Sequence, residues 1–255
     1  MFSEEINKVS EAAKAKIGLL NKNKFGYLLS AMFAGLYVGL GIMLIFTIGG
    51  LLSSGNSPAT KIVMGLGFGV ALSLVIFAGS ELFTGNNFVM TVGILKGKTS
   101  VLDAIKIWIF SFVGNLIGSV LGGYLYYATG LGKAAVGEFI VKTAATKMGL
   151  PIHELITRGI FCNILVCLAV WCTYRMKEET GKLIMIFWCL FAFITSGFEH
   201  SIANMTLLSI SLFIPHTAAV SIGGFIYNIG FVTLGNFIGG ALFLAIPYYL
   251  ISKDK

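Results

Sequence analysis

Polar and apolar residues are sharply segregated along this chain. Six apolar runs, at roughly 26–52, 62–95, 107–129, 156–174, 183–215 and 218–251, are separated by short segments that carry nearly all the charge. A helix needs roughly 20 apolar residues to cross a bilayer. The pattern therefore predicts an all-α membrane protein with six transmembrane helices.

Two of the runs are too long. Residues 62–95 carry one charge, Glu81, and residues 183–215 carry one, Glu199. As straight helices each would reach roughly 50 Å at 1.5 Å per residue, against a hydrocarbon core of about 30 Å. Neither has enough chain for two spans and a turn. The remaining solution is a second and a fifth helix each broken near its middle.

The breaks share a pattern. "GSELFTGN" (79–86) and "GFEHSIAN" (197–204) both read G-x-E-x-x-x-x-N. The third span of each half also matches, "VGNLIGSVLGG" (113–123) against "LGNFIGGALF" (234–243). Two halves of three spans are related, at about 25–130 and 156–252. Because three is odd, the second half is inverted in the membrane. Such repeats place a polar site near the midplane.

An ionisable residue at bilayer depth costs about 2.5–3.5 kcal/mol, and irregular backbone there needs protein cover or a cavity. Glu199 and His200 thus fit a broken helix facing a pore. Glu81 is expected to bond backbone N–H groups freed at its own break. His200 has no counterpart in the first half, where Leu82 stands. That asymmetry marks it as the functional candidate.

Composition agrees: 56% of the 255 residues are hydrophobic and 11% charged, where soluble domains carry about 25% charged residues. Residues 1–24 form a separate amphipathic segment, with Ile6, Val9, Ala13, Ile17 and Leu20 at helical spacing. Their acids and lack of an apolar core argue against a cleaved leader. With the N-terminus inside, thirteen Lys and Arg, including Lys253 and Lys255, fall on the cytoplasmic side and five outside. Both termini are therefore expected in the cytoplasm of a multi-pass inner-membrane protein. The net charge of +7 reads as topogenic, and no basic cluster interleaved with aromatics suggests nucleic acid. The segment "GKAAVGEFIVKTAATKMG" reads as a short amphipathic helix outside the membrane, closed by Gly149 and Pro151. Cys162, Cys167, Cys172 and Cys189 lie inside predicted spans and read as small buried side chains. Neither a metal nor a cofactor is expected.

"ELFTGNN", "GFEHSIANM", "CNILVCLAVW" and "GNFIGGALF" together resemble the formate/nitrite transporter family over about residues 25–250. The "TGNN" variant and overall similarity bring the chain closer to its hydrosulfide channels than to its formate channels. The resemblance implies an aquaporin-like protomer and a homopentamer in a lipid bilayer. It implies one pore per protomer for small monovalent anions (hydrosulfide, formate or nitrite), with proton-coupled transport of the same anions as the alternative. By motif, Leu82 and Phe83 match a cytoplasmic constriction, with Leu72 in its wall. Phe68 and Phe193 match an outer one. His200 matches the central histidine, Glu199 its neighbour and Thr84 the hydroxyl facing it. Asn163 and Asn236 match pore-region asparagines. Lys147 aligns with an outer-vestibule lysine, and Lys16 is placed at the cytoplasmic mouth. Both suit anion attraction.

A membrane-embedded enzyme is disfavoured, since the chain has no H-E-x-x-H, no G-x-S-x-G and no second histidine near His200. An aquaporin-type solute facilitator would need N-P-A-like pairs, which are absent.

Overall fold

The computed structural model describes residues 1–253; Lys255, counted above among the cytoplasmic cations, lies outside them. The described residues are helical and contain no strand. Helix α1 (Ser3–Lys22) precedes the first span, α2 (Lys24–Ser53). The second run is α3 (Thr60–Gly67), α4 (Gly69–Phe77) and, after a break at 78–82, α5 (Phe83–Leu95). The third span is α6 (Val101–Ala128), and α7 (Ala134–Met148) follows it. The second half continues with α8 (Ile152–Arg175), α9 (Glu179–Ser196), a break at 197–200, and α10 (Ser201–Phe213). The last span is α11 (Ile222–Phe237), a π-helical segment (Ile238–Ala245) and α12 (Ile246–Ser252). Among the described residues six helices are long and apolar enough to cross a membrane.

The two long runs are broken where the sequence requires it. Each break contains a glycine with positive φ, Gly79 (77°) and Gly197 (78°), a conformation that side chains with a Cβ rarely adopt. The third span starts earlier than its apolar run. Ser100 and Asp103 form a reciprocal capping box there, so the charged turn before residue 107 is helical too.

The halves are wrapped in the same way. A Cβ on Gly118 of α6 would meet the Met32 carbonyl of α2, and a Cβ on Gly239 would meet the Ile160 carbonyl of α8. Each third span thus lies backbone-to-backbone on the first span of its own half.

Helix α1 buries Ile6, Val9, Ala13 and Leu20, with Ile17 half-buried, along the predicted stripe and against α5. Helix α7 buries Val136, Ile140, Ala144 and Met148 and packs on α2, α10 and α11. Large apolar side chains such as Phe33, Leu40, Ile109 and Trp188 are exposed on the outside of the bundle, the reverse of a soluble domain.

Candidate functional site

The backbone at each break is held by one buried asparagine. Asn115 on α6 accepts from the Phe83 N–H (2.9 Å) and donates to the Ala31 and Glu81 carbonyls (2.7 and 2.9 Å). Asn236 on α11 accepts from the Ser201 N–H (2.9 Å) and donates to the Gly159 and Glu199 carbonyls (2.8 and 2.9 Å). The glutamate N–H groups bond to the Ser30 and Arg158 carbonyls. Irregular backbone at this depth is therefore satisfied within the protein, as a membrane interior demands.

This corrects the expectation for Glu81. Among the described residues its carboxylate bonds no backbone N–H. It accepts from Lys16 Nζ (2.7 and 2.8 Å), Tyr27 Oη (2.8 Å) and Asn86 Nδ2 (3.2 Å). Glu199 is held in parallel, by Lys147 Nζ (2.7 Å) and Asn204 Nδ2 (2.6 Å). Asn204 also donates to Asn228 Oδ1, and Asn228 donates to the Lys147 carbonyl, both at 2.9 Å. The lysines come from α1 and α7, so α7 stands to the second half as α1 does to the first. Burying a carboxylate requires a paired cation and further hydrogen bonds, and each site supplies both.

Glu199 and His200, though adjacent, face different partners. His200 is the N-cap of α10: its Nδ1 accepts from the Ala203 N–H at 3.1 Å. Its Nε2 lies 3.0 Å from Thr84 Oγ1, the first turn of α5 meeting the first turn of α10. A neutral imidazole that accepts at Nδ1 carries its proton on Nε2. That proton is donated to Thr84 Oγ1. The threonine hydroxyl has no other partner among the described residues, so its own hydrogen is free to bond something else.

Thr84 is fixed from behind. Asn163 Nδ2 and Cys167 Sγ, both on α8, donate to its carbonyl at 3.3 Å. Asn163 also donates to the Asn236 carbonyl at 2.5 Å. Both asparagines are fully buried and line neither of the two cavities beside the histidine.

Those cavities meet at His200. The inner one is a chamber of about 10 Å³, lined by Phe68, Leu72, Leu82, Phe193 and His200 with Val38, Ala71, Val166 and Leu190. That is room for about one water molecule. Phe68 and Phe193 meet edge to face at 5.4 Å, and Phe193 stacks on the His200 ring at 6.0 Å. Phe83 turns the other way, edge-on to Phe112 at 5.3 Å, and does not line the chamber. The outer cavity is a vestibule of about 820 Å³, with Phe193, Glu199, His200 and Lys147 among its lining residues.

The sequence-expected residues Phe68, Leu72, Leu82, Phe193, Thr84 and His200 are thus brought together. Lys16 and Lys147 are not free cations, since each holds a buried carboxylate. Residues missed in the sequence are Asn115, Asn86, Asn204, Tyr27 and Asn228. Signals existed for three of them. Asn115 stands in the third-span match, and Asn86 and Asn204 close the G-x-E-x-x-x-x-N motif. Among the described residues no three His, Cys, Asp or Glu come together as a metal site requires.

A family model described as "Formate/nitrite transporter" matches residues 3–250. The "Nitrite transporter NirC" of Escherichia coli (strain K12) is 44% identical over 250 residues, covering 98% of this chain and 92% of that protein. A solved structure described as "FNT family ion channel" superposes with a TM-score of 0.94 at 41% identity, covering 99% of this chain and 100% of the other. Another, "Pentameric formate channel with formate bound", gives a TM-score of 0.78 at 28% identity, covering 90% and 98%.

Proposed function

The chain belongs to the formate/nitrite transporter family, and we propose that it is a channel for small monovalent anions with one pore in each protomer. The observation that carries this reading is the Thr84–His200 hydrogen bond beside a chamber walled by Phe68, Leu72, Leu82 and Phe193.

An anion in such an apolar passage loses its water, and an isolated buried charge is costly. Thr84 offers the compensating contact, because His200 supplies its own Nε2 proton to Thr84 Oγ1 and leaves the hydroxyl hydrogen for the anion. A weak-acid anion that takes a proton there crosses the apolar rings as a neutral molecule. Formate, nitrite and hydrosulfide are all conjugate bases of weak acids. The same contact supports the second reading, proton-coupled transport, since a histidine and a hydroxyl in series form a proton path.

Phe68 and Phe193 form the outer constriction, and Leu72 and Leu82 the cytoplasmic one, with Phe83 turned away from it onto Phe112. Glu199, Asn163 and Asn236 position the site, and Lys16 and Lys147, each paired with a buried glutamate, hold α1 and α7 against the two breaks. Residues 1–24 lie on the cytoplasmic side and 25–252 form the channel domain in the inner membrane, with both termini in the cytoplasm. The excess of Lys and Arg on that side supports this orientation. Five protomers form a ring, a reading supported by the pentameric formate channel. Transport rather than catalysis follows the relatives' descriptions. Among the anions the "TGNN" segment favours hydrosulfide.

The test is flux into liposomes with and without the purified protein, comparing hydrosulfide, formate and nitrite. Faster hydrosulfide than formate flux supports the finer assignment. No protein-dependent flux of any of the three removes the channel reading.

A further inference from the structure

The vestibule and the chamber beneath it are mismatched in size. About 820 Å³ stands above His200 and about 10 Å³ below it. An anion of one to three heavy atoms fills almost none of the upper space. That volume lies in the range of pockets that enclose organic ligands, about 300–1,000 Å³.

The lining is also more than a funnel for attraction. It holds four cations, Lys61, Lys142, Lys147 and Arg158, against Glu138 and Glu199 in the lining and Glu154 behind Arg158, an excess of one positive charge. Lys147 is taken by Glu199 and Arg158 bonds Glu154. Lys61 and Lys142 form no ion pair among the described residues. They stand on different helices, α3 and α7. The wall also carries aromatic side chains, Phe46 against Phe139 at 5.6 Å and Phe198 backed by Phe161 at 5.4 Å, among hydroxyl groups such as Thr143 and Thr146.

We propose that the vestibule binds an organic dianion with a hydrocarbon body, a dicarboxylate, which sits on the Phe193–His200 floor and obstructs the pore. Two separated ammonium groups match two carboxylates. The aromatic wall takes the hydrocarbon between them, and a body of that size cannot follow a small anion through the Phe68–Phe193 pair. Binding needs only the cavity; obstruction rests on the channel reading.

The probe is terephthalate, titrated calorimetrically into the whole purified protein. Benzoate tests the body with one charge, and sulfate tests two charges without a body. We expect saturable terephthalate binding, about tenfold or more tighter than either control. Lys61→Gln and Lys142→Gln should each weaken it about tenfold, and thermal denaturation of these exposed-site variants checks that they fold. In liposomes terephthalate should slow small-anion flux when added on the vestibule side. Absence of saturable terephthalate binding overturns the proposal, as do sulfate binding of equal strength and unchanged affinity in both folded variants. Binding without any small-anion flux leaves this site standing and sinks the channel reading; flux without binding does the reverse.

Discussion

Asn115 and Asn236 make the same three hydrogen bonds, one to each break. Each accepts from the N–H two residues after a break glutamate, donates to that glutamate's own carbonyl, and donates to a carbonyl of the first span in its half. The inverted repeat thus holds at the level of individual lone pairs, although the residues at the two helix starts differ. Leu82 and His200 occupy equivalent N-cap positions. Only the histidine can cap its helix and also reach Thr84.

Asn236→Leu should therefore be far more damaging than its volume change implies. It strands the Ser201 N–H and the Glu199 carbonyl, at about 1–3 kcal/mol for each buried group left unsatisfied, and removes the second bond from the Gly159 carbonyl, which keeps its helical one. The thermal unfolding temperature in detergent should fall by several degrees. Asn236→Asp keeps the acceptor and loses both donor bonds, and should fall between. An unfolding temperature unchanged in Asn236→Leu would remove the asparagine from the scaffold.

The Lys16–Glu81 pair makes a second test. The side chains are 19% and 11% exposed, so the pair is enclosed without being fully dehydrated. Lys16→Met leaves the Glu81 carboxylate with Tyr27 and Asn86 alone. It should cost about 1–3 kcal/mol, and it should loosen the α1 end around residue 16 while its apolar stripe stays packed on α5. Adding Glu81→Gln should return part of the loss, because the uncompensated charge goes with it. Hydrogen exchange in α1 and thermal denaturation read both effects. Strictly additive losses would mean that the pair does not couple.

Much of this was legible in the sequence, for physical reasons that can be named. Charge-free length fixed the spans, and excess length fixed the breaks, because a bilayer has one thickness. Glu81 and Glu199 marked those breaks because lone carboxylates do not sit in regular lipid-facing helix. Their partners were less visible. Lys16 and Lys147 read as free cations since the pairing spans 65 and 52 residues, a separation that no local period reports. The role of Asn115 was half-written in the "GN" shared by both third spans, but close helix packing explains that dipeptide equally well. The π-helical segment at Ile238–Ala245 left no mark beyond Pro247. Proline cannot donate to an i−4 carbonyl, yet an ordinary kink would serve it too.

Leu82→Val tests the cytoplasmic constriction. Leu82 lines the chamber at the capless start of α5, so shortening it by one methylene widens the path without removing a hydrogen bond. One CH₂ is worth about 0.8 kcal/mol of apolar contact, which sets the scale at about a fourfold rise in small-anion flux if this ring limits passage. Lower or equal flux in a correctly assembled variant would move the limiting barrier elsewhere, and Phe68 and Phe193 would be the next candidates.

His200→Phe separates the ring's shape from its chemistry. Phenylalanine preserves an aromatic surface against Phe193, but it loses both the Ala203 N–H cap and the Nε2–H bond to Thr84. With no histidine proton to accept, the Thr84 hydroxyl no longer has its hydrogen directed at the anion. A hydrogen bond to a charged group is worth about 1.5–3 kcal/mol, so flux should fall about ten- to a hundredfold. The pH profile carries more information than the rate. If the anion takes a proton at this site, wild-type flux rises as pH falls, because proton resupply from water becomes easier and the neutral acid forms more often. In His200→Phe the site no longer passes a proton, and that slope should flatten. Thr84→Val, which keeps the histidine and removes the hydroxyl it serves, should flatten it as well. Flux measured across pH in liposomes distinguishes the cases. A variant that is slower but keeps the wild-type slope would make His200 a structural cap only. The proton would then have to reach the anion by another route.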